Sequence, residues 1–440
     1  MKTNFKKVIA YILKTESRLV LWKYKPKVIA ITGSVGKTST KDAVYAVLSK
    51  ISYVRKSEKS FNSEIGLPLT VLGCPNGWNN PFIWLRNIFQ GLWLFLWPHK
   101  YPKWLVLEVG VSKPDDMRYA ASWLKTDAVI ITAIGETPAH IEFFNSRKHL
   151  VEEKSQLLKT LKKDGLLVLD ADDEIVLNMK TGSKNHAITY GFREGADVLG
   201  SGDSIFYNDK NEPAGIIFRV DEEGKSLPVV IEGVFGRNHV YAALAALALS
   251  SGLKFNILAA VNLLKNYDVP PGRMRLLQGI NDSLIIDDTY NSSPFACESA
   301  LKTLGEIKSL GHSPTGEPLG RKIAILGDML ELGKYTNEAH KNIGKIVKEN
   351  ADVLVVVGPR AKAIKEGAVE TGMKPENIFE FLNSSEAGNF IKTFMQRGDI
   401  VLIKGSQGMR MERAVEAILL DPKNKSKLLV RQDEEWLKKK

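Results

Sequence analysis

Cysteine is nearly absent from this chain, with only Cys74 and Cys297 among 440 residues. Two thiols cannot build a disulfide framework, which excludes the small stapled secreted class and points to a reducing, cytoplasmic compartment. A long apolar run is missing as well. Lys2, Lys6 and Lys7 precede an apolar stretch that Lys14 and Glu16 interrupt, so no signal peptide is expected. The aromatic stretch 83–97 is too short and too broken to span a bilayer. Also lacking is any nucleic-acid recognition motif to accompany the net charge of +11. Basic residues are spread along the chain, so the expected partner is an anionic substrate or a membrane surface, and not nucleic acid. No internal repeat is present. At 44% hydrophobic and 25% charged residues the composition is that of an ordinary globular protein, and the length allows two or three domains.

What is present centres on Ile29-Ala30-Ile31-Thr32-Gly33-Ser34-Val35-Gly36-Lys37-Thr38-Ser39-Thr40, which reads as buried strand, glycine turn and helix start. Glycine lets backbone N–H groups approach an anion, and the helix N-terminus favours negative charge. Lys37 can reach a terminal phosphate, and the Thr38 hydroxyl can ligate Mg²⁺. Gly33, Ser34, Val35, Gly36, Lys37, Thr38 and Ser39 are therefore the expected ATP cradle, although Ile31 stands where the usual eight-residue loop has glycine.

Around this loop, short apolar strands at 28–32, 104–108, 128–134 and 166–169 alternate with helices, which predicts an α/β fold with a parallel doubly wound sheet. Short alternating runs over 187–232 predict an antiparallel appendage, followed by a helix over 240–250. Pro270-Pro271-Gly272 marks a hinge. Strands at 284–287, 322–326, 353–357 and 400–403 then predict a second, smaller α/β domain. The expected layout is an amphipathic helix over 1–27, a central domain over 28–268 with an aromatic insertion at about 75–103, a hinge over 269–278 and a C-terminal domain over 279–440. Glu108, at a strand end where open sheets bind ligands, is either a metal ligand or a solvated carboxylate. Residues alone leave Lys154 readable as an exposed helix charge, His140 as structural and Asp288 as a helix cap.

Further motifs carry a resemblance. Phe61-Asn62-Ser63-Glu64-Ile65-Gly66, Leu107-Glu108-Val109-Gly110, Pro138-Ala139-His140-Ile141-Glu142, Pro271-Gly272-Arg273-Met274-Arg275, Asp287-Asp288-Thr289-Tyr290-Asn291-Ser292, Leu326-Gly327-Asp328-Met329-Leu330-Glu331 and Lys404-Gly405-Ser406-Gln407-Gly408-Met409-Arg410 look like motifs of the Mur ligase superfamily. The chain most resembles the MurF branch, the UDP-N-acetylmuramoyl-tripeptide:D-alanyl-D-alanine ligases. The resemblance implies a P-loop ATPase domain, a Rossmann-like C-terminal domain and ATP-dependent amide ligation through an acyl phosphate in cell-wall synthesis. The implied partners are a muramoyl peptide acceptor and D-alanyl-D-alanine.

The same resemblance assigns Mg²⁺ to Thr38 and Glu108, and a second Mg²⁺ to His140 and to Lys154 as a carbamate. Lys37, Lys154 and His140 become the catalytic set, Asn238 and His239 together the adenine contact, and Arg273 and Asp288 the contacts to ATP phosphate and ribose. Departures exist: Ala133 replaces a usual asparagine, and Asn238-His239 is inverted. With few residues ahead of the first strand, the uridine-holding domain of this branch is expected to be missing. That leaves open a ligase with a lipid-linked acceptor or, in another class, a membrane-associated nucleotide-binding scaffold. Residues 78–98, rich in tryptophan and phenylalanine, suit a peripheral contact at the inner face of the membrane, a flap over the acceptor or a dimer contact.

Overall fold

The computed structural model describes residues 3–58, 61–111, 113–135, 143–144, 146–308 and 320–438. The chain forms two compact units, one of residues 1–202, 219–229 and 238–268, the other of residues 203–218, 230–237 and 269–440. Neither is continuous in sequence, because the hairpins that follow residue 198 are shared out between them.

In chain order the elements begin with α1 (Thr3–Tyr24), β1 (Lys27–Thr32), α2 (Lys37–Ser49), β2 (Val54–Lys56), α3 (Gly66–Leu72), α4 (Pro81–Leu96) and β3 (Trp104–Glu108). Next come α5 (Asp116–Ala121), β4 (Thr126–Ile131), α6 (Arg147–Ser155), β5 (Leu161–Asp170), α7 (Glu174–Asn178) and β6 (Ala187–Gly191). Strands β7 (Val198–Tyr207), β8 (Pro213–Glu222) and β9 (Lys225–Glu232) precede helices α8 (Arg237–Gly252) and α9 (Ile257–Leu264).

The sheet order is β2-β3-β1-β4-β5-β6-β7-β8-β9, with parallel pairing from β2 to β7. Val28 to Ile31 are buried on both faces, as a central parallel strand demands. Only two residues join β8 to its neighbour β9, a connection that parallel strands cannot make, so this end of the sheet is antiparallel. Because β3 and β4 flank β1 on opposite sides, the order reverses at β1, and the C-terminal end of such a strand is where open α/β sheets bind ligands.

The second unit contains β10 (Arg275–Gln278), β11 (Leu284–Asp288), α10 (Pro294–Glu306), β12 (Lys322–Gly327), α11 (Thr336–Asn350), β13 (Val353–Val357), α12 (Lys362–Glu370), β14 (Ile378–Phe381), α13 (Ser384–Phe394), β15 (Ile400–Lys404) and α14 (Glu412–Ile418). Its sheet runs β10-β11-β15-β12-β13-β14, parallel except for β10 against β11. The segment after the proline pair is tied to this unit. Gly272 N–H donates to Asp287 Oδ2 at 3.0 Å, and Tyr290 N–H donates to Gly272 O at 3.0 Å. Gly272 adopts φ +70°, and a Cβ there would lie 2.8 Å from Tyr290 N, so glycine is required on both counts.

Candidate active site

The loop between β1 and α2 is set by two glycines with different reasons. Gly33, at φ +143°, packs so closely that a Cβ would sit 2.0 Å from Thr132 Oγ1. Gly36, at φ +82°, has open space around it and caps α2 in the left-handed conformation. Ser34 and Val35 N–H both donate to Ala133 O, at 2.8 and 3.1 Å, and the Thr132 hydroxyl donates to Val35 O at 2.6 Å. Position 133 thus acts through its carbonyl, a role that any residue fills. The first intrahelical bond of α2 runs from Thr40 N–H to Gly36 O at 2.8 Å. Lys37, Thr38 and Ser39 therefore occupy the N-terminal turn, where backbone donors and the helix dipole favour an anion.

Two amines converge on the loop. Lys37 Nζ donates to Gly33 O at 2.9 Å and to Ser34 O at 3.2 Å, and Lys154 Nζ donates to the same Gly33 O at 2.8 Å. Lys154 is buried on α6, and burial, with Lys37 nearby, holds its pKa well below that of an ordinary lysine. Its neighbour Glu153 accepts from Met117 N–H at 2.8 Å and Arg118 N–H at 3.4 Å, which anchors α6 on the start of α5.

Opposite the amines stands Glu108, at the end of β3 and in register with Ile31. Its Oε2 accepts from the Thr38 hydroxyl at 3.0 Å, and its Oε1 from Asn62 Nδ2 at 3.3 Å. Glu108 is 8% exposed and has no ion-pair partner among the described residues. A buried carboxylate next to a hydroxyl and an amide, without a basic partner, is a hard-oxygen site that fits a divalent cation. No group of three His, Cys, Asp or Glu suited to a metal occurs among the described residues. That does not count against Mg²⁺, which takes one or two carboxylates and fills its shell with water and phosphate oxygens. His140 lies outside the described residues.

Asn62 is a member of this cluster whose role sequence reasoning did not assign, although its motif was conspicuous. Asp173 is another. Its Oδ2 accepts from Ile134 and Gly135 N–H at 2.7 and 2.9 Å while its Oδ1 caps α7, so it pins the loop leaving β4. An aspartate before a helix start was the available signal.

At the start of α8, His239 is buried, and its Nδ1 lies 2.9 Å from the Tyr267 hydroxyl. Asn238 beside it is half-buried. One turn on, the Tyr241 hydroxyl donates to Asp172 Oδ2 at 2.7 Å.

In the second unit, the Arg273 guanidinium lies 4.0 Å over the Tyr290 ring. Asp288, at the end of β11, accepts from Lys404 Nζ at 2.6 Å, and Lys404 also donates to Asn291 O at 3.0 Å. Asp287 accepts from the Thr289 hydroxyl, and burial raises its pKa to about 6. The structure thus brings Lys37, Thr38, Glu108 and Lys154 together with Asn62, while Asn238 and His239 stand at α8, and Arg273 and Asp288 in the other unit.

Comparison with known proteins identifies relatives over most of the chain. The Mur ligase middle domain matches residues 31–84 and 89–250, and the Mur ligase, glutamate ligase domain matches 272–407. The UDP-N-acetylmuramoyl-tripeptide--D-alanyl-D-alanine ligase of Bacillus subtilis is 29% identical over 90% of this chain and 76% of its own length. Its namesake from Mycobacterium leprae is 27% identical over 90% of this chain and 74% of its own. In fold, the chain resembles the MurF ligase of Thermotoga maritima solved with ADP, at a TM-score of 0.73 and 24% identity, covering 93% of this chain and 83% of that one.

Proposed function

The chain belongs to the Mur ligase family, and on that premise we propose that it joins D-alanyl-D-alanine to a muramoyl peptide in cell-wall precursor synthesis. It is an ATP-dependent, ADP-forming carboxylate–amine ligase. An acceptor carboxylate oxygen attacks the γ-phosphorus of ATP, and ADP leaves. The dipeptide amine then attacks the acyl carbon, and the tetrahedral intermediate expels phosphate and loses a proton.

The protein's share of this work is positioning and charge neutralisation. The observation that carries the reading is the convergence of Lys37, Thr38, Glu108 and Lys154 on one strand–loop–helix start. Lys37 faces the terminal phosphate from α2, while Gly33, Ser34, Val35, Gly36 and Ser39 shape the cradle. Mg²⁺ held by Thr38 and Glu108, with a second ion on His140 and carbamylated Lys154, would neutralise the phosphate oxygens. The depressed pKa of Lys154 supports the carbamate, because only the free amine adds to carbon dioxide, forming an N–C bond and releasing one proton. Asn238 and His239 are assigned to adenine, and Arg273 and Asp288 to phosphate and ribose. We assign residues 28–268 to the ATP-binding domain, 269–278 to the hinge and 279–440 to the C-terminal domain, in the cytoplasm.

The test is to incubate the chain with ATP, D-alanyl-D-alanine and a panel of muramoyl peptides, and to weigh the products. A product heavier than the acceptor by the dipeptide less water, formed with equimolar ADP, is expected. ATP hydrolysis indifferent to dipeptide and acceptor would point instead to a nucleotide-binding scaffold. A second reading, a lipid-linked acceptor met at the membrane through residues 78–98, is favoured by the exposed aromatic side chains of α4. Strong competition by UDP would show that the chain holds the nucleotide of a nucleotide-linked acceptor and would exclude the lipid-linked reading.

A further inference from the structure

α4 is built inside out. Asn80 caps it, its side chain accepting from Phe82 and Ile83 N–H, and Pro81 opens its first turn. Its inward side carries Trp84, Asn87 and Gly91: Asn87 Nδ2 donates to Pro75 O at 2.8 Å, and Gly91 packs against Glu16 of α1. Its outward stripe holds Phe82, Leu85, Phe89, Leu92, Trp93 and Leu96, with Phe82 79% and Phe89 62% exposed. The spacing of three and four residues makes this one continuous face.

α1 repeats the pattern beside it. Ile9, Leu13 and Val20 point inward, while Val8, Tyr11, Leu19 and Trp22 are exposed. Residues 1–30 lie outside both family matches, so this helix is not accounted for by the ligase domains. The two helices run in the same direction. Glu16 meets Gly91, and further along Lys23 Nζ and the Tyr24 hydroxyl both donate to Leu94 O and Trp97 O.

Charge decides what covers this surface. The exposed charged side chains described on α1 and α4 are Lys6, Lys7, Arg18 and Arg86, all basic; Lys6 pairs with Glu64 at 2.9 Å, and the only carboxylate of the two helices, Glu16, is buried. Where the two helices end, a cavity of about 250 Å³ is lined by Lys25, Lys27 and Lys103 together with Tyr24, Tyr101 and Trp104. No carboxylate lines it. A second copy on this face would bring the like charges of Lys7, Arg18 and Arg86 together, whereas an anionic surface attracts them. Aromatic and aliphatic side chains bordered by lysine and arginine are the composition of helices that lie in the plane of a membrane interface.

We propose that α1 and α4 form one docking surface for an anionic lipid bilayer, with the lysine-lined cavity receiving a lipid headgroup phosphate. The inference rests on the peripheral contact proposed above and not on the ligase chemistry. The Phe89, Trp93, Leu96 stripe enters the headgroup region, where removing its apolar surface from water favours binding. Each lysine near the anionic surface adds an attraction that salt screens.

The experiment is sedimentation of the full chain, without ATP, with vesicles of phosphatidylcholine alone or mixed with phosphatidylglycerol. Binding to the anionic vesicles that weakens with salt is expected, with a blue shift of tryptophan emission. The double variant Phe89→Ser, Trp93→Ser should lose binding about tenfold or more. The triple variant Lys25→Glu, Lys27→Glu, Lys103→Glu should lose the preference for anionic vesicles, and it carries the test should the aromatic variant fail to fold. Ligation of a soluble acceptor without vesicles is measured on the same preparations and should be unchanged, so failure of docking and failure of the ligase reading are told apart. Indifference of the wild type to both vesicles, equal binding to both, or a dimer in solution that Trp93→Ser dissolves each overturns the proposal.

Discussion

At the scale of single residues, the two lysines on Gly33 O are the sharpest test of the site. Lys37→Ala removes the cation proposed to face the terminal phosphate, from a loop whose backbone is also tied to Ala133 and Thr132, so the fold should persist while ATP turnover falls by two orders of magnitude or more. Thermal unfolding and phosphate release, measured together, check this. Lys154→Ala should be equally inactive yet regain part of its turnover with added short carboxylic acids, which would stand in for the oxygens of the proposed carbamate. Full activity without rescue would sink the carbamate. The sequence offered Lys37 plainly, through its motif. Lys154 looked like a surface charge among glutamates, and only the tertiary structure shows its burial against the loop, which with Lys37 nearby holds its pKa well below that of an ordinary lysine.

At the scale of elements, the two loop glycines separate backbone conformation from crowding. Gly36→Ala meets no neighbour and faces only the left-handed backbone, a cost of about 1 kcal/mol. Gly33→Ala adds a clash with Thr132 on the neighbouring strand end and should cost about 3 kcal/mol. Denaturant unfolding of the two variants checks the order, and equal losses would mean that Thr132 moves freely aside. The strand signals at 104–108 and 353–357 coincide with β3 and β13 because continuous apolar runs leave no other buried state. β5 extends well before its apolar core, since Leu161 follows directly on a short helical turn and pairs with Thr126. No local pattern reports such pairing.

At the scale of the whole molecule, three buried carboxylates bias the response to pH. Burial raises Glu16 and Asp170 to about 7 and Asp287 to about 6. Above their ordinary range near 4, the unfolded chain has lost these protons while the folded one keeps them, so their contribution to stability is full at low pH and is lost as pH rises toward 7. Glu16, whose carboxylate oxygens have no hydrogen-bond partner among the described residues, isolates the effect. Glu16→Gln should gain stability relative to wild type progressively from about pH 4.5 to 7, read from urea midpoints across that range. A constant difference would place Glu16 in contact with water.

What the sequence determined by itself is the alternation of strands and helices, the phosphate loop and its family, because these are written in contiguous residues whose backbone preferences and apolar periods act locally. What only the tertiary structure decided is which distant side chains meet: Asn62 and Thr38 on Glu108, Lys154 on Gly33, Asp173 on the loop after β4, and α1 along α4. Those meetings depend on strand order and burial, which arise when the sheet assembles and which no single segment encodes.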